Sequence, residues 1–427
     1  MLKRLYLIYL IAAASGATLA EDWPKWRGAD RNGEWHETGI AESFTQLKPV
    51  WRAEISSGYS GPTVSDGRVF VSDRVTKPKQ IERVHCFDEK TGKLIWSHEY
   101  PCAYRNVSYT AGPRTSVQIH DGIAYSLGTM GHLFAFDVKD GRVIWSVDAN
   151  TAFEIDIPEW GISAAPLITE DMLVVQIGGT PDATVVALGL KDGKERWRAL
   201  SDRASYSAPI TVEQAGKDIV VVWTGDNLAG LDPLTGRTLW KQPFKPSRMV
   251  IGVATPIHKD NKVFVSSFFD GAMMVNLQPT QQSVSLAWAS AGADERNTES
   301  LHSLISTPIW LGDHIYGIDS YGELRCIRAS DGKRVWTDTT AVRKARWSTA
   351  HFVSHHDKVW IFNEEGELIL SELSPDGFKV ISRAPLIEPT RDQLNRRGGV
   401  TWSHPAFANG HVFIRNDNEL IKVDLRK

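Results

Sequence analysis

Cys86-Phe87-Asp88-Glu89-Lys90-Thr91-Gly92-Lys93-Leu94-Ile95-Trp96 has the form of a short apolar strand, an acidic turn ending in Gly, and a basic-apolar run ending in Trp. The form returns as Ala135-Phe136-Asp137-Val138-Lys139-Asp140-Gly141-Arg142-Val143-Ile144-Trp145, and again in stretches ending at Trp197, Trp240 and Trp336. In all five copies the Gly stands four residues before the Trp. One copy alone is a hairpin. Recurrence at a fixed interval predicts a repeat architecture.

Outward from this stretch, each unit reads as four strands. The first opens near a Pro, as in Gly61-Pro62-Thr63-Val64. Asp66-Gly67 then turns into Val69-Phe70-Val71, the third strand is Val84-His85-Cys86-Phe87, and Leu94-Ile95-Trp96 is the fourth. Strand-length alternation with Asp-Gly turns at close spacing reads as an antiparallel meander, with no sustained helical period. The opening Pro recurs at Pro62, Pro113, Pro166, Pro209, Pro256, Pro308 and Pro405. A first strand residue tolerates Pro because no ladder donor is lost there. The seventh unit has Ala350-His351-Phe352 instead.

The closing Trp recurs at Trp96, Trp145, Trp197, Trp240, Trp288 and Trp336. The fifth unit has lost the Gly before Trp288. In the seventh, Ile381 stands four residues past Gly377 where a Trp is expected, which predicts a thinner interface there. The eighth unit starts at Pro405, turns at Asn409-Gly410, and ends at Val423-Asp424-Leu425 without a fourth strand. Pro49-Val50-Trp51 is a fourth strand with no preceding three. The N-terminal strand is therefore expected to complete the last blade. That closes an eight-bladed β-propeller of four-stranded antiparallel blades, over residues 47–427.

Before the array, residues 21–46 read as an ordered arm, with Trp23 and Trp26 expected to pack it onto the body. Residues 1–20 read as a signal peptide: Lys3 and Arg4, an apolar run from Leu5 to Ala14, and small residues at Thr18-Leu19-Ala20. The run is shorter than the ~20 residues of a membrane span, and no Cys follows it for lipid attachment. A periplasmic or secreted protein, not lipid-anchored, is expected.

Removing Lys3 and Arg4 takes the formal charge from −3 to −5, and no basic face is evident, which argues against nucleic-acid binding. Three Cys is an odd count. Cys86 and Cys326 occupy a repeat slot that holds Ala135, Ala187 or Gly230 elsewhere, so both read as packed free thiols. Cys102 lies in a loop and could reach Cys86.

The Ala-x-Asp-x-x-Thr-Gly-Lys-x-x-Trp pattern resembles the tryptophan-docking motif of the pyrroloquinoline quinone (PQQ)-like propeller repeat. Residues 86–96 match it with Cys for Ala; residues 230–240 match with Gly for Ala and Arg237 for Lys. Trp26-Arg27-Gly28 also resembles the opening of many secreted bacterial members. The resemblance implies an eight-bladed propeller over essentially the whole chain after residue 47. It further implies one of two kinds of function: a quinoprotein dehydrogenase binding PQQ with Ca²⁺ over the channel, or a non-catalytic propeller such as the lipoprotein scaffold of outer-membrane protein assembly. The adjacent Cys pair of the methanol and ethanol dehydrogenases is absent here, and so is the lipidation Cys of the scaffold.

Trp51, Trp96, Trp145, Trp197, Trp240, Trp288 and Trp336 are thus structural positions. Ligand-binding candidates lie where the inner strands begin. There an aromatic residue near a Ser or Thr recurs, at Tyr59, Tyr109, Trp160, Tyr206, Trp347 and Trp402. Arg114, His302, His351 and His404 join them as non-repeating polar residues. Loop carboxylates at Glu154, Asp156 and Glu159, and at Asp294, Glu295 and Glu299, supply oxygens of the type that binds Ca²⁺.

No Ser nucleophile elbow, phosphate-cradling Gly loop or zincin motif is present. The expectation is a non-catalytic binding or scaffold propeller, taking a protein, small-molecule or glycan ligand on one face, with no cofactor and no catalytic or metal-ligating residue. A PQQ- and Ca-dependent dehydrogenase and a carbohydrate-binding or carbohydrate-active propeller are the alternatives.

Overall fold

The computed structural model describes residues 20–394 and 397–427. The expected leader lies outside them but for Ala20. Eight separate four-stranded antiparallel sheets make up the array. In seven of them the strands follow chain order; in the eighth, Pro49–Glu54 pairs with Glu419–Asp424 and completes the blade. The eight-bladed ring closed by the N-terminal strand is borne out. Among the described residues the only α-helix is Ala149–Phe153, and no helix is long and apolar enough to cross a membrane.

The repeated Trp joins each blade to the next one. Trp96 donates its Nε1 to Val138 O in the second blade at 3.0 Å, Trp145 to Leu190 O in the third at 2.8 Å, and Trp197 to Pro233 O in the fourth at 2.9 Å. Trp288 and Trp336 reach Ala329 O and Ser374 O in the same way. The motif Gly receives the indole of the preceding blade: a Cβ on Gly141 would stand 2.6 Å from Trp96 Cδ2, and one on Gly193 would stand 2.7 Å from Trp145 Cδ2. Positive φ at these glycines adds a second reason for the residue type.

Trp240 shows what the lost Gly does. Its Nε1 bonds Gln214 Oε1 in its own blade at 2.9 Å, and Gln214 Nε2 carries the link on to Ser283 O of the fifth blade at 2.6 Å.

Opposite the Trp on the third strand sits the small slot: Cys86 pairs with Trp96, Ala135 with Trp145, and Cys326 with Trp336. All three Cys are free and buried, and burial raises the thiol pKa of Cys86 to about 12 and of Cys326 to about 11. One residue before each of these Trp the fourth strand bulges, and the bulged residue turns outward. Ile95, Ile144, Val335 and Val50 are exposed for this reason.

The seventh blade departs from the expectation at Ile381. Its hairpin closes at Ser374–Gly377, so the register places Ile381 at the bulge and Ser382 in the Trp slot, opposite Leu370. The interface is filled from elsewhere in the chain. Phe44 of the arm donates its backbone N–H to Ser382 Oγ at 2.9 Å, and its ring stacks on Trp360 at 5.9 Å. Phe44 and Leu47 pack with Ile381 on the same core.

The rest of the arm crosses the ring. Trp23 pairs with Val64 of the first blade, Pro24 O accepts from Ile119 of the second, Trp35 N–H donates to Ser354 O of the seventh, and Ala41 N–H to Leu425 O of the eighth. Between these anchors Arg31 is 7% exposed. It donates to Gln118 Oε1 at 2.9 Å, Pro166 O at 2.7 Å and Pro209 O at 3.1 Å, in three successive blades. The arm therefore divides the axial channel into two compartments.

Candidate functional site: an aromatic cup on the propeller axis

Residues just before the inner strands converge on a cavity of about 150 Å³. Nine of the ten ligand-binding candidates line it: Tyr59, Tyr109, Arg114, Trp160, Tyr206, Trp347, His351, Trp402 and His404. The eightfold repeat explains the convergence. Each blade offers the residues ahead of its inner strand to the axis, so equivalent sequence positions become neighbours in space.

His302 lies elsewhere. Its backbone N–H donates to Asp319 Oδ1 at 2.6 Å, and its ring nitrogens lie 3.1 Å from Phe268 O and 3.3 Å from Gly292 N. It ties the loop of the fifth blade to the sixth.

Tyr109 is the centre of the cup. Its ring lies 6.0 Å from Trp160, 5.9 Å from Trp347 and 6.2 Å from Trp402, edge-on or tilted to each. Tyr206 stacks on Trp160 at 4.9 Å, and its hydroxyl accepts from Trp160 N–H at 3.3 Å. Tyr109 and Trp347 both hold positive φ, an uncommon state for bulky residues that persists only when surroundings over-determine it. For Tyr109 those surroundings are explicit. Ser108 N–H donates to Glu159 O at 2.7 Å, Arg114 Nη2 to Tyr109 O at 2.5 Å, and Arg74 Nη1 to Thr110 O at 2.5 Å.

Arg114 is the one formally charged residue among the lining side chains. Its guanidinium donates to Gly112 O, Ser108 O, Tyr109 O and Thr129 Oγ1, and lies 5.0 Å over the Tyr59 ring. It shapes the Tyr109 loop.

Two histidines stand together in the lining, with ring centroids 4.9 Å apart. His351 Nε2 bonds Trp402 O at 2.8 Å and His404 Nδ1 bonds Pro405 O at 2.5 Å; a carbonyl accepts, so each nitrogen carries its proton. Burial, reinforced by the Arg27 charge, lowers His351 to about 4, and burial with the neighbouring His351 holds His404 well below the usual histidine range. Both rings are neutral at pH 7.

Two contributors escape the sequence reading. Trp26, expected only to pack the arm, forms part of the cup floor: its Nε1 donates to Thr255 Oγ1 at 3.0 Å and its ring lies 5.1 Å from His404. Glu364, fully buried behind the wall, accepts from Trp402 Nε1 at 2.9 Å and Ser348 Oγ at 3.0 Å, and pairs with Arg343 and Arg397. A repeat pattern carries no signal for either, since both are single, non-repeating residues.

The cup is thus seven aromatic rings with aliphatic and neutral polar side chains and the single charge of Arg114 between them, and no carboxylate or thiol in the lining. None of the loop carboxylates of the sequence reading lines the cup, and two of them are engaged elsewhere. Asp294 caps its own turn at Arg296 and Asn297, and Glu295 accepts from Arg346 and Tyr321. Among the described residues no group of three or more His, Cys, Asp or Glu side chains converges as a metal site.

A closed ring of eight blades, each locked to the next by an indole, defines the class of protein. The family profile described as "Outer membrane protein assembly factor BamB" matches residues 80–338, more than half of the chain. The chain belongs to this PQQ-like propeller family. A quinohemoprotein alcohol dehydrogenase of Pseudomonas putida is 26% identical over 56% of this chain and 36% of its own length. The assembly factor BamB of Shewanella oneidensis is 26% identical over 48% of this chain and 51% of its own. The chain thus spans about half or less of these curated relatives. Among solved structures, BamB of Moraxella catarrhalis superposes with a TM-score of 0.57 at 16% identity, covering 88% of this chain and 97% of its own. A quinohemoprotein alcohol dehydrogenase of Comamonas testosteroni superposes with 0.62 at 13%, covering 94% and 80%. At these identities the superpositions show the fold alone.

The residues of the cup do not fit PQQ with Ca²⁺. Calcium takes six to eight oxygen ligands, carboxylates among them, and the lining offers no carboxylate. The three carboxylates of PQQ would meet one cation, Arg114, whose donors are already directed at backbone carbonyls and Thr129. Glu364 is saturated by Trp402, Ser348 and two arginines.

Proposed function

We propose that this chain is a non-catalytic binding module that receives a flat, largely apolar group in the axial cup. The observation that carries the reading is the cup itself: seven aromatic rings line one cavity with no carboxylate or thiol among them, and its two histidines are hydrogen-bonded to backbone carbonyls. An apolar cavity near 150 Å³ is the size that holds a single aromatic ring. Rigid aromatic walls take such a group at low ordering cost, and this is how buried anchors are seated at protein interfaces. An aromatic or proline side chain on an exposed segment of a partner protein meets these demands. A sugar face meets the stacking demand, but the lining holds no carboxylate to accept from sugar hydroxyls.

The family contains an assembly factor, and that supports a scaffold reading. The leader expected at residues 1–20 supports a location outside the cytoplasm, in the periplasm or secreted.

The test is a titration of the full chain, followed by tryptophan fluorescence and melting temperature. Three probes are used: aromatic and proline-rich peptides, oligosaccharides, and PQQ with Ca²⁺. Saturable peptide binding lost in Trp402→Ala is expected. A saturable response to PQQ with Ca²⁺, alone among the three probes, overturns the reading in favour of the dehydrogenase.

A further inference from the structure

The arm segment that floors the cup also borders a second cavity, of about 440 Å³, farther along the same inner strands. Arg27 and Arg31 line it, 1% and 7% exposed. Their hydrogen bonds go to neutral oxygens: Asn32 O for Arg27, and Gln118 Oε1 with the carbonyls of Ala165, Pro166 and Pro209 for Arg31. The Nε of each has no hydrogen-bond partner. Among the described residues no carboxylate stands within ion-pair distance of either guanidinium. Lys25 and Lys259 line the same cavity. The acids there, Asp30 and Glu34, are exposed, and Glu34 faces His36 at 3.4 Å.

Buried cations are ordinarily paired, because a desolvated charge without a counter-charge is costly. Two side by side against one cavity compound the cost. Burial lowers Arg27 to about 10 against the partly offsetting charge of Glu34, and burial with the Arg27 charge lowers Arg31 to about 9. Across the cavity the wall is mixed: Ile257, Ile309 and Trp310 give it apolar surface, and Thr211 and His258 stand among them.

We propose that this second cavity binds the anionic head of a ligand, a carboxylate or a phosphate-type oxyanion, with the ligand's apolar body against the wall formed by the inner strands. The guanidinium groups of Arg27 and Arg31 supply the fixed positive field, and the half-buried Lys25 and Lys259, the latter donating to Gly312 O at 2.8 Å, add charge beside it. An anion there supplies the close counter-charge that Glu34 gives Arg27 only from beyond ion-pair distance and that no acid gives Arg31, and it secures the arm in the channel. This site is separate from the cup and independent of what the cup binds.

The full chain is titrated with inorganic phosphate, sulfate, citrate and octanoate against chloride at equal ionic strength, by calorimetry and melting temperature. A saturable melting-temperature rise with at least one of the four is expected. The phosphate and sulfate arms report a free oxyanion, and the octanoate arm reports a carboxylate with an apolar tail. Lys25→Ala with Lys259→Ala, at half-buried positions outside the core, should weaken binding by about tenfold or more, since each charge-assisted contact contributes on that scale. Trp402→Ala should leave anion binding unchanged. No stabilisation beyond the chloride control, or equal affinity in the double-lysine variant, overturns the proposal and leaves Arg27 and Arg31 as anchors of the arm alone. Arg31→Leu adds a direct test if the variant folds.

Discussion

Trp51 of the N-terminal strand and Gly92 of the first blade are in contact across the seam that closes the ring. The indole Nε1 of Trp51 donates to Glu89 O at 2.8 Å, and a Cβ on Gly92 would lie 2.6 Å from Trp51 Cδ2. The same joint recurs between inner blades, so the seam is built as a repeat interface. It carries an extra pair, Lys422 Nζ on Glu89 Oε1 at 2.9 Å, both side chains largely buried.

A chain starting after residue 55 loses this strand and leaves Glu419–Asp424 as an open edge. Such edges invite pairing with other chains. Aggregation or a far lower melting temperature is expected by size exclusion and calorimetry. A soluble truncation that melts normally would contradict the closure.

Gly92→Ala and Gly67→Ala separate two costs. Both positions have φ near +70°, but nothing stands within 4 Å of a Cβ at Gly67. Gly67→Ala should cost about 1 kcal/mol from backbone conformation alone. Gly92→Ala should cost roughly 3 kcal/mol, because the Trp51 ring must also move. Equal denaturant midpoints for the two variants would refute the docking account.

Trp145→Ala removes a ring 8% exposed, its bond to Leu190 O, and its contact with Tyr125. A loss of about 3–5 kcal/mol is expected by urea unfolding. Trp145 is not part of the cup, so affinity for a cup ligand should be unchanged in the folded fraction.

Acid should weaken the fold through the paired histidines of the cup. Unfolded, His351 titrates near 6.5; folded, it resists protonation down to about 4. Between these values the unfolded chain binds more protons. The contribution is therefore complete above about pH 6.5 and is lost as pH falls, by up to about 1.4 kcal/mol per pH unit for each such histidine. Burial lowers His404, His302 and His258 as well, so the measured slope is a sum. His351→Gln should flatten it by one histidine's share, read from urea midpoints across that range.

Glu364→Ala releases Trp402 Nε1 and leaves Arg343 and Arg397 without their shared carboxylate. A loss of about 2 kcal/mol is expected, less than for a fully buried pair because both arginines are partly exposed. Binding in the cup should weaken as Trp402 becomes mobile. Unchanged ligand affinity would show that Glu364 serves stability alone.

The ring was legible in the order of residues. The spacing of Gly and Trp, the unit-opening Pro and the orphan strand at Pro49-Val50-Trp51 encode eight blades and their closure, because each repeat carries its own local pattern. That order also marked most of the cup, since residues at equivalent positions in a closed ring must meet at the axis. The tertiary structure alone decided the contacts between distant, non-repeating residues. Ser382 rather than Ile381 occupies the vacant Trp slot, since hairpin register is set by the turn at Ser374–Gly377. Phe44 fills it from the arm, more than three hundred positions away in the chain. Trp26 reaches the cup floor, Glu364 buttresses Trp402, and Arg27 and Arg31 are buried without an acid partner, all for one physical reason. Burial and pairing depend on where the arm and loops come to rest, and neither element repeats.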